Sequence, residues 1–131
     1  YYKFKKVSQK YKLKNIFFNK FKKNIKPIID NFDILLHLSR REGLPISPIQ
    51  CLASGVPVIG FDIRGMNDVI LNNYNGYLCK INNHICALKK IKLLYDNKIL
   101  LDRFSKNAHL SITHEYSDII ISKIIYDFVY E

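Results

Sequence analysis

Six consecutive residues, Arg40-Arg41-Glu42-Gly43-Leu44-Pro45, form a polar loop directly ahead of a helix start at Ser47. The unpaired N–H groups and the positive end of the helix dipole point at that loop, an arrangement suited to a phosphate or diphosphate. Glu42 has a plainer reading beside this one, as a surface acid pairing with Arg40 or Arg41, which contributes little stability.

The elements around the loop explain why it would sit at a ligand site. Ile34-Leu35-Leu36 with Leu38 is a continuous apolar run, as a parallel strand buried on both faces requires, and Val56-Pro57-Val58-Ile59 repeats that character. Between them the punctuation predicts a short helix. Ser47 caps it, Pro48 takes the first helical position, Gln50 stands three residues after the cap, and Gly55 follows the last turn. Strand, helix and strand make a βαβ unit, and open α/β sheets bind ligands at the carboxyl ends of their strands.

These residues resemble a known pattern. Ser39-x-x-Glu42-Gly43-Leu44-Pro45, followed by Gln50-x-x-Ala53-Ser54-Gly55-Val56-Pro57-Val58-Ile59, is similar to the donor-binding signature of the retaining GT-B glycosyltransferases that use nucleotide sugars. That signature has the form E-x7-E followed by A-x-G-x-P-V-[IV]. Two further landmarks follow in order, Ile63-Arg64-Gly65-Met66-Asn67-Asp68 and Asn75-Gly76-Tyr77-Leu78. The chain departs from the pattern at Gln50, which stands where the second glutamate is usual; an amide oxygen still accepts from a hydroxyl, more weakly than a carboxylate.

The resemblance implies a division of labour. Transfer from a nucleotide-diphospho-sugar needs a stabilised diphosphate leaving group and an oxocarbenium-like sugar. Glu42 would be the catalytic, sugar-side acceptor, and Gln50 would contact ribose, with a role in a Ser47–Gln50 capping box as its alternative. The amides of Gly43 and Leu44, beside Pro45 and the helix start at Ser47, would face the phosphates together with Arg64 and Gly65. No D-x-D pair is present, in keeping with the metal-independent chemistry implied, and no cofactor beyond the donor is expected. The family's donor domain opens with a strand, a glycine-rich turn and an Arg and Lys that clamp the diphosphate. It is preceded by an acceptor-binding N-terminal domain. This chain matches only the later two-thirds of the donor domain, so Arg40, Arg41 and Arg64 are candidates to replace the missing cations. The expected fold is an α/β, Rossmann-like parallel sheet with flanking helices, lacking its first elements and ending in a helical tail.

The remaining chain supports one domain across residues 1–131. The 131 residues, 48% of them hydrophobic, suffice for a real core. Residues 3–12 read as a helix, Leu13 to Phe18 as a strand, and Asn24 to Asn31 as a short helix leading into the central strand. Met66 to Leu71 reads as a short helix, Tyr77-Leu78-Cys79 as a last strand, and 84–95, 99–110 and 115–130 as helices with apolar residues at spacings of three to four. Cys51, Cys79 and Cys86 lack metal-ligand spacing and read as reduced core thiols. The four histidines lack it too. Without G-x-G-x-x-G, P-loop, H-E-x-x-H or G-x-S-x-G motifs, the dinucleotide oxidoreductases, P-loop NTPases, zinc proteases and serine hydrolases are disfavoured.

The net charge of +10 is concentrated: residues 1–26 hold ten lysines and no acid, and the rest of the chain sums to zero. Lys3 to Lys26 therefore suits an anionic membrane surface or a lipid-linked acceptor, or else reflects a composition rich in Ile, Asn and Lys. No apolar run is long enough to span a membrane, and no signal peptide is visible. The expected location is cytoplasmic, or peripheral at the membrane's inner face. The favoured reading is part of a sugar transferase of polysaccharide biosynthesis. Its alternatives are a catalytically inactive nucleotide-sugar or phosphate-binding module and, less favoured, a basic nucleic-acid-binding domain. No nucleic-acid partner is expected, since the lysine segment lacks aromatic stacking motifs.

Overall fold

The computed structural model describes residues 2–115. In chain order these form α1 (Tyr2–Lys10), α2 (Lys26–Ile29), β1 (Leu35–His37), α3 (Ile46–Ala53), β2 (Val58–Phe61), α4 (Met66–Val69), β3 (Gly76–Cys79), α5 (His84–Asp96) and α6 (Lys98–Glu115). The three strands make a parallel sheet in the order β1-β2-β3, with Leu35 opposite Val58 and Phe61 opposite Cys79. The expected helix 115–130 lies almost wholly outside the described residues.

β2 is buried along its whole length because both faces are covered. Val58 joins Ile49, Leu52, Met66, Ile70 and Ala108 on one side, while Ile59 and Phe61 join Tyr77, Ala87, Leu94 and Phe104 on the other. Two apolar faces on a period of two leave no polar position in the strand, which is why the sequence runs continuously hydrophobic there. Asn97 separates the last two helices, its Oδ1 accepting from the Leu100 N–H at 2.9 Å.

Asn75-Gly76 is a structural joint. Asn75 is fully buried. Its Nδ2 donates to Val69 O at 3.1 Å and to Ser111 Oγ at 2.9 Å, and its Oδ1 accepts from the Leu71 N–H at 2.8 Å. One side chain thus ties α4, the turn before β3 and α6 together, with its polar groups satisfied. At Gly76 a Cβ would overlap the Val58 carbonyl oxygen, so the tight approach of β3 to β2 excludes any side chain.

Three expectations are corrected. Leu13 to Phe18 forms no strand: Leu13, Ile16 and Phe17 are exposed, and β1 pairs only with β2 among the described residues. A strand-like composition gains nothing without a neighbouring ladder to satisfy its backbone. Ser47 does not cap α3. The helix starts two residues earlier, with Pro45 at the N-cap and no side-chain cap, so the Ser47–Gln50 capping box does not form. Cys79 and Cys86, read as reduced thiols, are joined in a disulfide with their Cα atoms 5.9 Å apart. The turn between them, with Asn82 at φ 65°, folds the first turn of α5 back onto the end of β3. Cys51 is the free, buried thiol, as expected.

Candidate functional site

Parallel strands deliver their following loops to one edge of the sheet, and here two such loops meet. The loop after β1 supplies Arg40, Arg41, Glu42 and Gly43, and the loop after β2 supplies Ile63 and Arg64; together they line a cleft of about 580 Å³. The joint between the loops is made of backbone. Gly65 has φ 85°, and a Cβ there would lie 2.7 Å from Gly43 O and 2.9 Å from Glu42 O. Glycine is required twice over, by the left-handed backbone and by the close approach. The Gly65 N–H donates to Asp68 Oδ2 at 3.2 Å, fixing the start of α4, and the Asp62 N–H donates to Cys79 O at 2.7 Å, fixing the other end of the loop.

Glu42 is half-buried and does not pair with its arginine neighbours. Its Oε1 lies 2.8 Å from Nε2 of His37, the last residue of β1. That hydrogen bond, and after it the nearby Ser39 hydroxyl, whose own hydrogen bond goes to Arg41 O at 3.1 Å, hold the Glu42 carboxyl below its ordinary value of 4.5, with desolvation opposing them. The carboxylate is therefore ionised at neutral pH and oriented from the strand. Arg40, Arg41 and Arg64 are exposed around it.

The head of α3 offers less to an anion than the sequence suggests. Of its first four positions, Pro45 and Pro48 have no N–H, and Ile46 donates its own to Leu44 O at 3.0 Å. Ser47 is left as the amide in that turn able to face a ligand. Leu44 is exposed and Pro45 is buried. A Cβ at Gly43 would meet no protein atom within 4 Å, so no packing contact within the chain demands a glycine there.

Gln50 is exposed and lines a different cleft, of about 250 Å³, with Lys23, Asn24, Ile25, Lys26, Ile29 and Ser54. The structure thus gathers Glu42, Gly43, Arg64 and Gly65, sets Leu44 and Pro45 on the connection to α3 and Ser47 in its first turn, and places Gln50 beyond them. Sequence reasoning passed over His37, considered only as a possible metal ligand. The available signal was its place at the last position of a parallel strand, five residues before the carboxylate. Among the described residues no three His, Cys, Asp or Glu side chains gather as a metal-binding group, and no helix is long and apolar enough to cross a membrane.

Comparison with known proteins adds relatives to this geometry. The family described as "Glycosyl transferases group 1" matches residues 1–111. A poly(ribitol-phosphate) alpha-N-acetylglucosaminyltransferase of Staphylococcus aureus is 31% identical over 105 residues, which cover 79% of this chain and 21% of that protein. An N,N'-diacetylbacillosaminyl-diphospho-undecaprenol alpha-1,3-N-acetylgalactosaminyltransferase of Campylobacter jejuni is 32% identical over 85 residues, covering 65% and 23%. The structure of an S. aureus TarM mutant with fondaparinux, alpha-GlcNAc-glycerol and UDP matches with a TM-score of 0.85 at 30% identity, covering 95% of this chain and 26% of that one. Anabaena HepE in complex with UDP-glucose matches with a TM-score of 0.88 over 98% of this chain and 36% of its own; at 16% identity this speaks to the fold alone. The chain spans about a quarter of the length of the curated relatives it matches.

Proposed function

Because the chain belongs to the group 1 glycosyl transferases, we propose that the Glu42 cleft is part of the donor site of a retaining transferase that uses a nucleotide-diphospho-sugar. The observation that carries this reading is the meeting of Glu42-Gly43 and Arg64-Gly65 in one cleft at the carboxyl edge of the parallel sheet. One ionised carboxylate among three guanidinium groups is what such a donor needs. The cations and the Gly43, Leu44 and Ser47 amides stabilise the departing diphosphate, and the carboxylate accepts from a sugar hydroxyl as charge develops on the ring. With the sugar at Glu42, Gln50 accepts from the ribose, and the nucleoside occupies the second cleft beside Lys23 to Lys26. In this reading the chemistry requires no metal.

The acceptor belongs to parts of the protein outside these residues. Two of the relatives act, by name, on a phosphate polymer and on a diphospho-undecaprenol. An anionic or lipid-linked acceptor at a membrane's inner face fits Lys3 to Lys26 by the same charge logic. A binding module without catalysis is the second reading, favoured by Gln50 in place of a glutamate. Calorimetric titration with UDP, GDP, UDP-glucose and UDP-N-acetylglucosamine, beside duplex DNA and RNA at low and high salt, tests these readings. Nucleotide binding that survives high salt is expected. Salt-sensitive nucleic-acid binding with no nucleotide binding would overturn the donor-site reading. Turnover of a nucleotide sugar by a longer chain that contains these residues separates enzyme from binding module.

A further inference from the structure

We propose that His37 is a positioning residue for Glu42, holding one carboxylate oxygen so that the other is presented to the sugar of the donor. The inference rests on the donor-site reading above and adds a residue to it. His37 belongs to a rigid element: it closes β1 and lies opposite Gly60 of the fully buried β2. Glu42 belongs to a polar loop. Two charged groups on its own loop, Arg40 and Arg41, and one from the facing loop, Arg64, line the same cleft. Yet the carboxylate bonds at 2.8 Å to the strand histidine, with the Ser39 hydroxyl in support.

That choice of partner has two consequences. A carboxylate accepts at both oxygens, so His37 Nε2–H donating to Oε1 leaves Oε2 for a sugar hydroxyl. An arginine partner would instead neutralise part of the cation cluster that the diphosphate needs. The strand-borne imidazole orients the acid and leaves Arg40, Arg41 and Arg64 to the phosphates. Sites whose polar groups are held from strands keep tighter geometry than sites built from loops alone.

The test titrates the 131-residue chain with UDP, UDP-glucose and UDP-N-acetylglucosamine, and reads the gain in affinity that the sugar adds over UDP. His37→Leu and Glu42→Gln are each expected to reduce that gain about tenfold, the scale of one charge-assisted hydrogen bond. His37→Gln, whose amide can donate, is expected to restore most of the gain, and the double variant to lose no more than either single one. Carboxyl NMR is expected to show the Glu42 midpoint higher in His37→Leu than in wild type. A gain lost in Glu42→Gln but kept in His37→Leu overturns the proposal and leaves the donor site standing. Loss of UDP affinity in the double variant, where no carboxylate is left to pair with an arginine, overturns it as well, by showing a general structural role. A wild-type chain that gains nothing from either sugar refutes the sugar-side role of Glu42 before any variant is made, and the proposal falls with it.

Discussion

Glu42 carries two properties that can be measured separately, its charge and its place. With the folded carboxyl held below 4.5 by His37 and Ser39, the unfolded chain binds more protons between the folded midpoint and the ordinary one. Stability therefore rises with pH across that interval: the contribution is complete above the ordinary carboxylate range and is lost as pH falls through the folded midpoint. Urea midpoints of wild type and Glu42→Gln, compared between about pH 6 and pH 3, should converge on acidification. Parallel curves would contradict the His37 bond. Cys51 behaves oppositely in kind, because burial pushes its thiol up to about 11 and leaves it protonated and inert at neutral pH. Alkylation of Cys51 should follow global unfolding. Asn75 is the buried polar hub, and Asn75→Ala removes the acceptor of the Leu71 N–H and the donor to Val69 O and Ser111 Oγ, an expected cost of about 3 kcal/mol in chemical denaturation.

At the scale of elements, the site depends on two loops kept in register by backbone contact. Gly65→Ala must either leave φ 85° or displace the Glu42-Gly43 carbonyls, so it should cost about 1–3 kcal/mol and weaken nucleotide binding beyond that loss of stability. Equal stability and binding in Gly65→Ala would show the loops to be independent. The disulfide acts one strand away, closing a short loop between β3 and α5. Reduction should lower stability by about 2 kcal/mol on the chain-entropy account, and Cys79→Ser should show the same loss with no further response to reductant. The βαβ unit was legible because its apolar runs leave little alternative to strands, although only β2 is covered on both faces; Leu36 of β1, at the edge of the sheet, is exposed. The head of α3 was misread because prolines at positions 45 and 48 both suit a first helical turn, while serine is only one of several residues that can precede it. Residues 13–18 have a strand's composition, but pairing depends on a neighbour that no local pattern reports. The Cys79–Cys86 bond depends on a left-handed turn at Asn82, which spacing alone does not specify.

For the whole molecule, the family's order of landmarks singled out Glu42-Gly43 and Arg64-Gly65, and only the fold shows that their loops touch. His37 escaped notice because its significance is a contact between side chains, without any motif to announce it. The chain spans about a quarter of the length of the curated relatives it matches, and on the proposed reading the alignment of acceptor with donor draws on residues outside it. That alignment contributes roughly 7–11 kcal/mol in a two-substrate reaction. Accordingly, the 131-residue chain is expected to bind nucleotide diphosphate and to show no measurable transfer from any nucleotide sugar, as an assay of released UDP would report. The central claim, that the Glu42 cleft receives the donor, is tested most directly by backbone amide NMR of the chain during titration with UDP-glucose. The account predicts that the amides of Gly43, Leu44, Ser47, Arg64 and Gly65 shift together and saturably, while those of α5 stay fixed. Saturable shifts confined to other surfaces, with these five amides unmoved, would contradict it.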